Sequence, residues 1–219
     1  MKVDLIKYMS ERLKDDVIKE KEPGPVITIS REFGCPARRI AQKLAEALTR
    51  KMYVKGKNID WRYITKEIMS ESAKELDMDP SRIQYVFEFK QKGLIDDILA
   101  AQSTKYYKSD RKIRNTIARV VRNMGCEGNV VIVGRGGVAI THDISKSLHV
   151  NLEAPLEWRV LRVSAKFNME PEEAEKYAQD VDRKRKQFRD YFEGKNTDYT
   201  RFDMTFNCMT LSIDEIVNI

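Results

Sequence analysis

The spacing of apolar residues changes several times along the chain, and each change marks an element. "VITIS" at 26–30 is β-branched and almost wholly apolar, the pattern of a strand covered on both faces in a parallel sheet. Helical spacing follows from about Pro36 to Leu48, and Pro36 suits a first helical turn, where a missing N–H costs little. "KNID" reads as a loop, and "WRYITKEIMSESAKEL" at 61–76 returns to helical spacing. Asp79-Pro80 opens a further helix through Ile83, Val86, Phe87, Leu94, Ile95, Ile98 and Leu99, interrupted near Gly93. At about 100° per residue, Ile113, Ile117, Val120, Val121 and Met124 fall on one side of the next helix. "NVVIVGRGG" at 129–137 is a second buried strand entering a glycine-rich turn, and "SLHVNLEAP" at 147–155 is a third, with a helix starting at Leu156. "EPEEAEKYAQDVDRKRKQFRDYF" is a strong helix pattern whose first-turn acids complement the helix dipole. The chain closes with a short strand, "FDMTFN", and a helix, "SIDEIVNI", in which Ser212 is the expected N-cap and Glu215 its capping-box partner. Strands alternating with helices predict an α/β fold with a largely parallel sheet.

Composition narrows the class. A chain of 219 residues, 42% hydrophobic and 34% charged, suits one domain with a real core. Cys35, Cys126 and Cys208 are far apart in sequence and show no CxxC spacing, so they read as buried or free thiols in a reducing compartment. His142 and His149 have no Cys, Asp or Glu at zinc-ligand spacing and read as structural or surface residues, so no metal ligand set is expected. The first residues, "MKVDLIKYMSERLKDD", predict a surface helix over 1–22 and lack the unbroken apolar stretch of a secretory signal. No apolar run approaches the roughly 18 residues of a membrane span. The expectation is a soluble, cytoplasmic protein with no membrane partner.

The formal charge of +6 is concentrated in one place. Between Lys105 and Arg122 stand seven basic residues and a single acid, Asp110. Arg111, Arg119 and Arg122 fall opposite the apolar side of that helix, and Arg114 lies at the border of the two faces. Two readings follow: a solvated helix face, or a cationic wall toward a phosphate-bearing ligand.

A glycine turn between a buried strand and a helix is where backbone N–H groups and a helix N-terminus hold phosphate. "ITISREFGCPARRIAQKLAEAL" has that setting, and so does "VVIVGRGG", whose Arg135 stands between glycines at the end of a strand, facing the crevice where α/β proteins bind ligands. Together with "NLEAPLEWRVLRV", "DVDRKR" and "FDMTFN…SIDEIV", these segments resemble, in order and spacing, the cytidylate kinase-like family of P-loop nucleoside monophosphate kinases. The resemblance covers roughly residues 26–219, with 60–125 matching loosely.

That resemblance implies a P-loop kinase-like parallel five-stranded sheet flanked by helices, with a helical insertion that binds the nucleoside monophosphate (NMP) and a helical lid. It divides the single domain into an N-terminal helix (1–22), a P-loop unit (26–56), the insertion (57–126) and the remaining core (127–219), with the lid at about 163–200. It implies transfer of the ATP γ-phosphoryl, with Mg²⁺, to CMP or a related monophosphate, a reaction that depends on positioning and charge neutralisation. Small-molecule nucleotides are then the partners, and nucleic acid is not. Residue by residue, the turn that reads Gly-Ser-Gly-Gly-Arg in the family is Gly34-Cys35-Pro36-Ala37-Arg38 here. Pro36 removes an N–H and Ala37 adds a Cβ. The Walker lysine is absent, which leaves the charge to Arg38 or Arg39, and no Ser or Thr follows to ligate Mg²⁺. Ser30, Arg31 and Glu32 match the family's Ser-Arg-Glu, with Arg31 reaching phosphate and Glu32 holding an arginine or helping to hold Mg²⁺ through water. Gly134, Arg135 and Gly136 keep the Gly-Arg of the family's Asp-Gly-Arg-Asp and place Arg135 on the acceptor. Arg159 and Arg162 correspond to lid-proximal arginines, and Asp182 with Arg185 to the lid's Asp-x-x-Arg. Arg111 and Arg114 are added as substrate-binding candidates from the basic helix.

Trp61, Tyr63, Tyr85, Phe87 and Phe89 stand in the expected insertion, as core packing first and as a base-stacking platform second. Three functions remain open at this stage: the phosphotransferase, a nucleotide-binding or regulatory protein that keeps the fold without catalysis, and a nucleic-acid binder using the basic helix.

Overall fold

Strand β1 (Val26–Arg31) sits at the centre of the molecule because it is apolar on both faces. Ile27 and Ile29 join one cluster of the core and Val26 the opposite one. It pairs in parallel with β3 (Val130–Val133) on one side and with β4 (Ser147–Glu153) on the other. β2 (Arg62–Ile64) and β5 (Met204–Asn207) complete a five-stranded parallel sheet in the order β2-β3-β1-β4-β5. The structure, a computed structural model, describes residues 24–80, 83, 109–193 and 201–219. The expected helix over 1–22, most of the helix after Asp79-Pro80, Tyr85, Phe87 and Phe89, and the cations Lys105 and Lys108 lie outside the described residues.

Helices cover both faces, as a parallel sheet requires. On one face α1 (Ala37–Val54) lays Ile40, Ala41 and Ala45 against Ile27, Ile29 and Val131, with Ile216 of α7 (Ile213–Asn218) in the same cluster. The other face carries α2 (Glu67–Glu75), α3 (Asp110–Glu127), α4 (Gly137–Thr141) and α6 (Pro171–Glu193). There Ile68, Ile113, Ile117, Val121, Ile140 and Phe188 pack on Val26, Val130 and Ile132. Helix α5 (Leu156–Phe167) follows β4 and packs on α6 through Val160, Val163 and Ala174. The expected cap of α7 is present: Ser212 Oγ accepts the Glu215 N–H at 3.2 Å, and Glu215 accepts the Ser212 N–H at 2.8 Å. No helix among the described residues is long and apolar enough to cross a membrane.

Two boundaries differ from the apolar pattern. Residues 61–76 read as helix throughout, but Arg62–Ile64 form the edge strand beside β3, and α2 begins at Glu67. Three residues are too few to show a period of two, and Tyr63 and Ile64 satisfy both patterns. β2 is therefore a strand of the sheet inside the segment 57–126. α1 runs past Leu48 to Val54, where Lys55 caps it and Gly56 takes a left-handed φ of 71°; Met52 in the added turns packs against the α1-side core.

Ile40 is 1% exposed between α1 and the sheet. Truncating such a side chain leaves a cavity that the close-packed surroundings only partly fill. Ile40→Ala should lower unfolding free energy by about 2–5 kcal/mol in denaturant titration. An unchanged midpoint would mean that α1 does not pack on the sheet.

Candidate functional site

The parallel sheet brings the C-terminal ends of β2, β3 and β1 side by side, and a crevice of about 770 Å³ opens over them. β1 delivers the loop from Arg31 to Pro36, β2 delivers Thr65 and Lys66, and β3 delivers Val133 and, from the Gly134–Gly136 turn, Arg135. The last turn is held by the Gly134 N–H donating to Ile29 O at 2.9 Å. Gly134, Arg135 and Gly136 are all left-handed, with φ of 70°, 56° and 71°. Glycine adopts this conformation freely, whereas at Arg135 it costs about 1–2 kcal/mol. Gly134 is also the place where a Cβ would run into the guanidinium of Arg31.

Eight cations line the crevice: Arg31, Arg38, Arg39, Lys66, Arg135, Arg162, Lys166 and Arg185. Glu32 is the one acid among the described residues that line it. A second cavity of about 430 Å³ lies between the 134–136 turn and α6 and shares Arg31, Arg135 and Arg185 with the first. Ser30, Gly134, Gly136, Tyr177 and Lys184 belong to this second cavity. Part of Arg31 reaches the surface, but its guanidinium is enclosed by protein. Desolvation, followed by repulsion from Arg185 and Arg135, pushes its pKa well below the ordinary arginine value. Desolvation also lowers the pKa of Arg185, against the pull of Asp182. Arg185 is oriented by a 3.2 Å bond from Nη1 to Arg31 O and by Phe33, whose ring centre is 5.3 Å from its Cζ. An anion in this crevice would relieve the repulsion among the guanidinium groups.

Behind this wall stands Arg159, 6% exposed. Its Nε donates to Ala154 O at 3.0 Å, and its Nη1 donates to Phe33 O at 3.1 Å and to Asp182 Oδ2 at 2.7 Å. Glu32 Oε2 lies 3.2 Å from Nε. Asp182 also accepts the Phe33 N–H at 2.7 Å, which ties α6 to the loop leaving β1. Arg159, carried over as a lid-proximal arginine, and Asp182, as the aspartate of the lid's Asp-x-x-Arg, line neither cavity and fix the parts that carry the crevice arginines. Arg162, one turn on, is exposed; it donates from Nε to Gly34 O at 3.1 Å and stacks on Trp158 at 4.6 Å. Burial raises the pKa of Glu32, while the Ala154 N–H and Arg159 pull it back down.

At the turn itself, Gly34 has φ 101° and abuts the backbone of Arg159. Pro36 is the N-cap of α1 with no side-chain cap, and the Ala37 N–H is used on Cys35 O at 2.9 Å. The amides of Arg38 and Arg39 remain without an intrahelical carbonyl four residues back, as in any first turn.

The basic helix does not form a wall of the crevice. Arg114 is buried over the Tyr191 ring at 4.5 Å. Arg119 pairs with Glu75 at 2.6 Å, and Arg122 donates to both oxygens of Asp143 at 2.7 and 2.8 Å. Arg111 lines a separate shallow depression with Lys112 and Asn115. Trp61 is buried in the α1-side core. His149 hydrogen-bonds Thr28 through Nδ1 at 2.7 Å, and His142 lies on the surface with Nδ1 2.8 Å from Ala139 O. Among the described residues, no group of three or more His, Cys, Asp or Glu is placed to hold a metal. Sequence reasoning missed Lys66 and Lys166, together with Phe33 and Phe167, whose rings stack 6.0 Å apart at the rim. Recognising β2 as a strand would have flagged Lys66, because it follows a strand's C-terminal end.

Residues 26–210 match the cytidylate kinase-like family. The chain belongs to that family. A nucleotide kinase-like function goes with this membership. No curated protein matches the chain. Among solved structures, an uncharacterized protein from Eubacterium ventriosum ATCC 27560 is similar at 20% identity and a TM-score of 0.60, over 89% of this chain and 94% of that one. At that identity the likeness is one of fold. A shikimate kinase from Bacteroides thetaiotaomicron aligns at 14% identity and a TM-score of 0.49, over 89% and 94% of the two chains.

Removing Asp182 from this cytidylate kinase-like protein leaves a buried guanidinium short of a carboxylate, so Asp182→Ala should lose about 3 kcal/mol of unfolding free energy. Asp182→Asn, which still accepts the Phe33 N–H, should lose less. Equal losses would separate the loop contact from the stability of α6. At the other bond, Arg122 holds the Asp143 carboxyl down to about 2. Its stabilisation is fully present above the unfolded carboxylate pKa and is lost as pH falls from there through the folded value of about 2. Carboxyl NMR should show this midpoint, and Arg122→Ala should return it to the ordinary range.

Proposed function

We propose that the chain is a phosphotransferase that moves the γ-phosphoryl of ATP to a CMP-like nucleoside monophosphate. The observation that carries this reading is the excess of eight cations over one acid in the crevice at the ends of β1, β2 and β3. Phosphoryl transfer asks the protein for positioning and for positive charge around the migrating group. In this reading the ATP phosphates lie over the Gly34–Arg39 turn, with Arg38, Arg39 and Arg162 as counter-charges. The acceptor phosphate lies against Arg135 and the Gly134–Gly136 turn. Arg31 and Arg185, common to both cavities, stand between the two. Arg159 and Asp182 are positioning residues. Mg²⁺ on the nucleotide would neutralise phosphate charge. Glu32 fits it, since the carboxylate contacts it makes among the described residues both fall on Oε2, which leaves Oε1 for a metal-bound water.

A second reading, nucleotide binding without turnover, is favoured by the turn. Pro36 has no N–H, that of Ala37 is engaged within the loop, and no hydroxyl follows. Calorimetry with ATP–Mg²⁺ and with CMP, followed by a coupled phosphotransfer assay, separates the two readings. Binding with turnover supports the kinase, binding alone supports the second reading, and no binding sinks both.

Arg135→Ala should weaken monophosphate binding roughly ten- to a hundred-fold, the worth of a charged hydrogen bond, and ATP binding less. Equal losses for both ligands would remove Arg135 from the acceptor side.

A further inference from the structure

Cys35 lines the crevice, in the turn between β1 and α1. Cys208 is the first residue past β5 and is 7% exposed. β4 lies between β1 and β5 in the sheet, so the segments leaving those two strands converge over its end. Backbone bonds fix the convergence: Glu32 N–H to Leu152 O at 3.0 Å on one side, and Cys208 N–H to Glu153 O at 2.8 Å on the other. Cys208 is buried in the α1-side apolar cluster, Cys35 packs against it, and the two side chains perturb each other directly. Cys126, on α3, is exposed and free.

The electrostatics are uneven across the pair. Its neighbour Cys208, together with burial, pushes the Cys35 thiol up. Cys35, with the charge of Arg162, pulls the Cys208 thiol down. Of the two, Cys208 is the sulfur that ionises more readily.

We propose that Cys35 and Cys208 form a peroxide-oxidisable pair whose disulfide ties the crevice turn to the end of β5 and shuts off anion binding there. The second half of this proposal rests on the crevice being the nucleotide site. The deprotonated sulfur of the pair attacks a hydroperoxide, an S–O bond forms, the O–O bond breaks, and the departing hydroxide or alkoxide takes back from solvent the proton that the thiol released on ionising, giving water or alcohol. The partner sulfur then attacks the sulfenic sulfur, an S–S bond forms, the S–O bond breaks, and hydroxide leaves as water with the pair's remaining proton. In sum, two thiols and one hydroperoxide give a disulfide, water and an alcohol, or two waters from hydrogen peroxide. A covalent link replaces a longer thiol contact, so residue 35 moves toward β5 and carries the start of α1 with it. Arg38 and Arg39, on that first turn, shift with it relative to Arg31 and Arg185.

The test uses the full chain with Cys126→Ser, treated with hydrogen peroxide. Intact mass should fall by two hydrogens, and digestion should yield a peptide linking Cys35 to Cys208. ATP–Mg²⁺ affinity by calorimetry should drop at least about tenfold and recover with dithiothreitol. With Cys208→Ser added, no linked peptide should form. Two alkylatable thiols surviving peroxide overturn the pair, whether or not nucleotide binds. A linked peptide with unchanged ATP affinity overturns the closing of the site. A reduced protein that binds no nucleotide overturns the crevice reading, while the linked peptide still supports the pair and its absence still sinks it.

Discussion

The crevice depends on one buried guanidinium. An arginine removed from water is tolerated only when its donors are met by acceptors, and Arg159 finds them on three separate segments. Phe33 O and Glu32 come from the loop after β1, Ala154 O from the end of β4, and Asp182 from α6. Satisfying one side chain therefore sets the position of α6 against the end of the sheet. Arg185 rides on α6 one turn past Asp182 and reaches Arg31 O because that position is set. Glu32, whose single carboxylate serves both Arg159 and the Ala154 N–H, closes the same circuit from the other direction.

Against this frame, the front of the crevice is electrostatically unfavourable on its own. Burial, and then repulsion from Arg185 and Arg135, depresses the Arg31 pKa, and Arg135 adds a left-handed backbone. Nothing in the packing of the sheet calls for either feature: β1 and β3 are already paired and buried before the chain reaches them. In the proposed reading, this strain and repulsion at the C-terminal ends of parallel strands serve a phosphate bound there. The clamp behind makes such an arrangement tolerable, because it fixes the backbone to which the repelling groups are attached.

The sequence made some of this readable and hid the rest, for physical reasons. Near-continuous apolar runs such as "VITIS" and "VVIV" announce strands covered on both faces, and the glycine turns after them announce the crevice. The edge strand β2 was hidden because three residues carry no period, and Lys66 was hidden with it. Arg159 and Arg162 share one motif at helical spacing, yet one is buried and the other exposed. That difference is set by Glu32 and Asp182, which come from other elements. The basic helix misleads in the same way: its local charge excess is visible, whereas Glu75, Asp143 and Tyr191, which engage three of its arginines, belong to other elements.

The two sides of the crevice are organised to different degrees, and this bears on how it would hold phosphate. A phosphate turn built from backbone amides is rigid before the ligand arrives, but here Pro36 supplies no amide and that of Ala37 is engaged by Cys35. Arg38 and Arg39 are exposed, and ordering such a long side chain costs up to about 2 kcal/mol of rotamer entropy. On the opposite side, Arg185 is held by Arg31 O and Phe33, and the Arg31 guanidinium is enclosed over Gly134. Pre-organised charge binds an anion with less loss of freedom than mobile charge does. In the proposed reading, the Arg31–Arg135–Arg185 side then fixes where the migrating phosphoryl sits, and the Arg38–Arg39 side closes on the donor only as the donor orders it. Selectivity for a substrate would arise from the guanidinium wall and α6, while the glycine turn that gives the family its signature contributes mainly the N-terminus of α1.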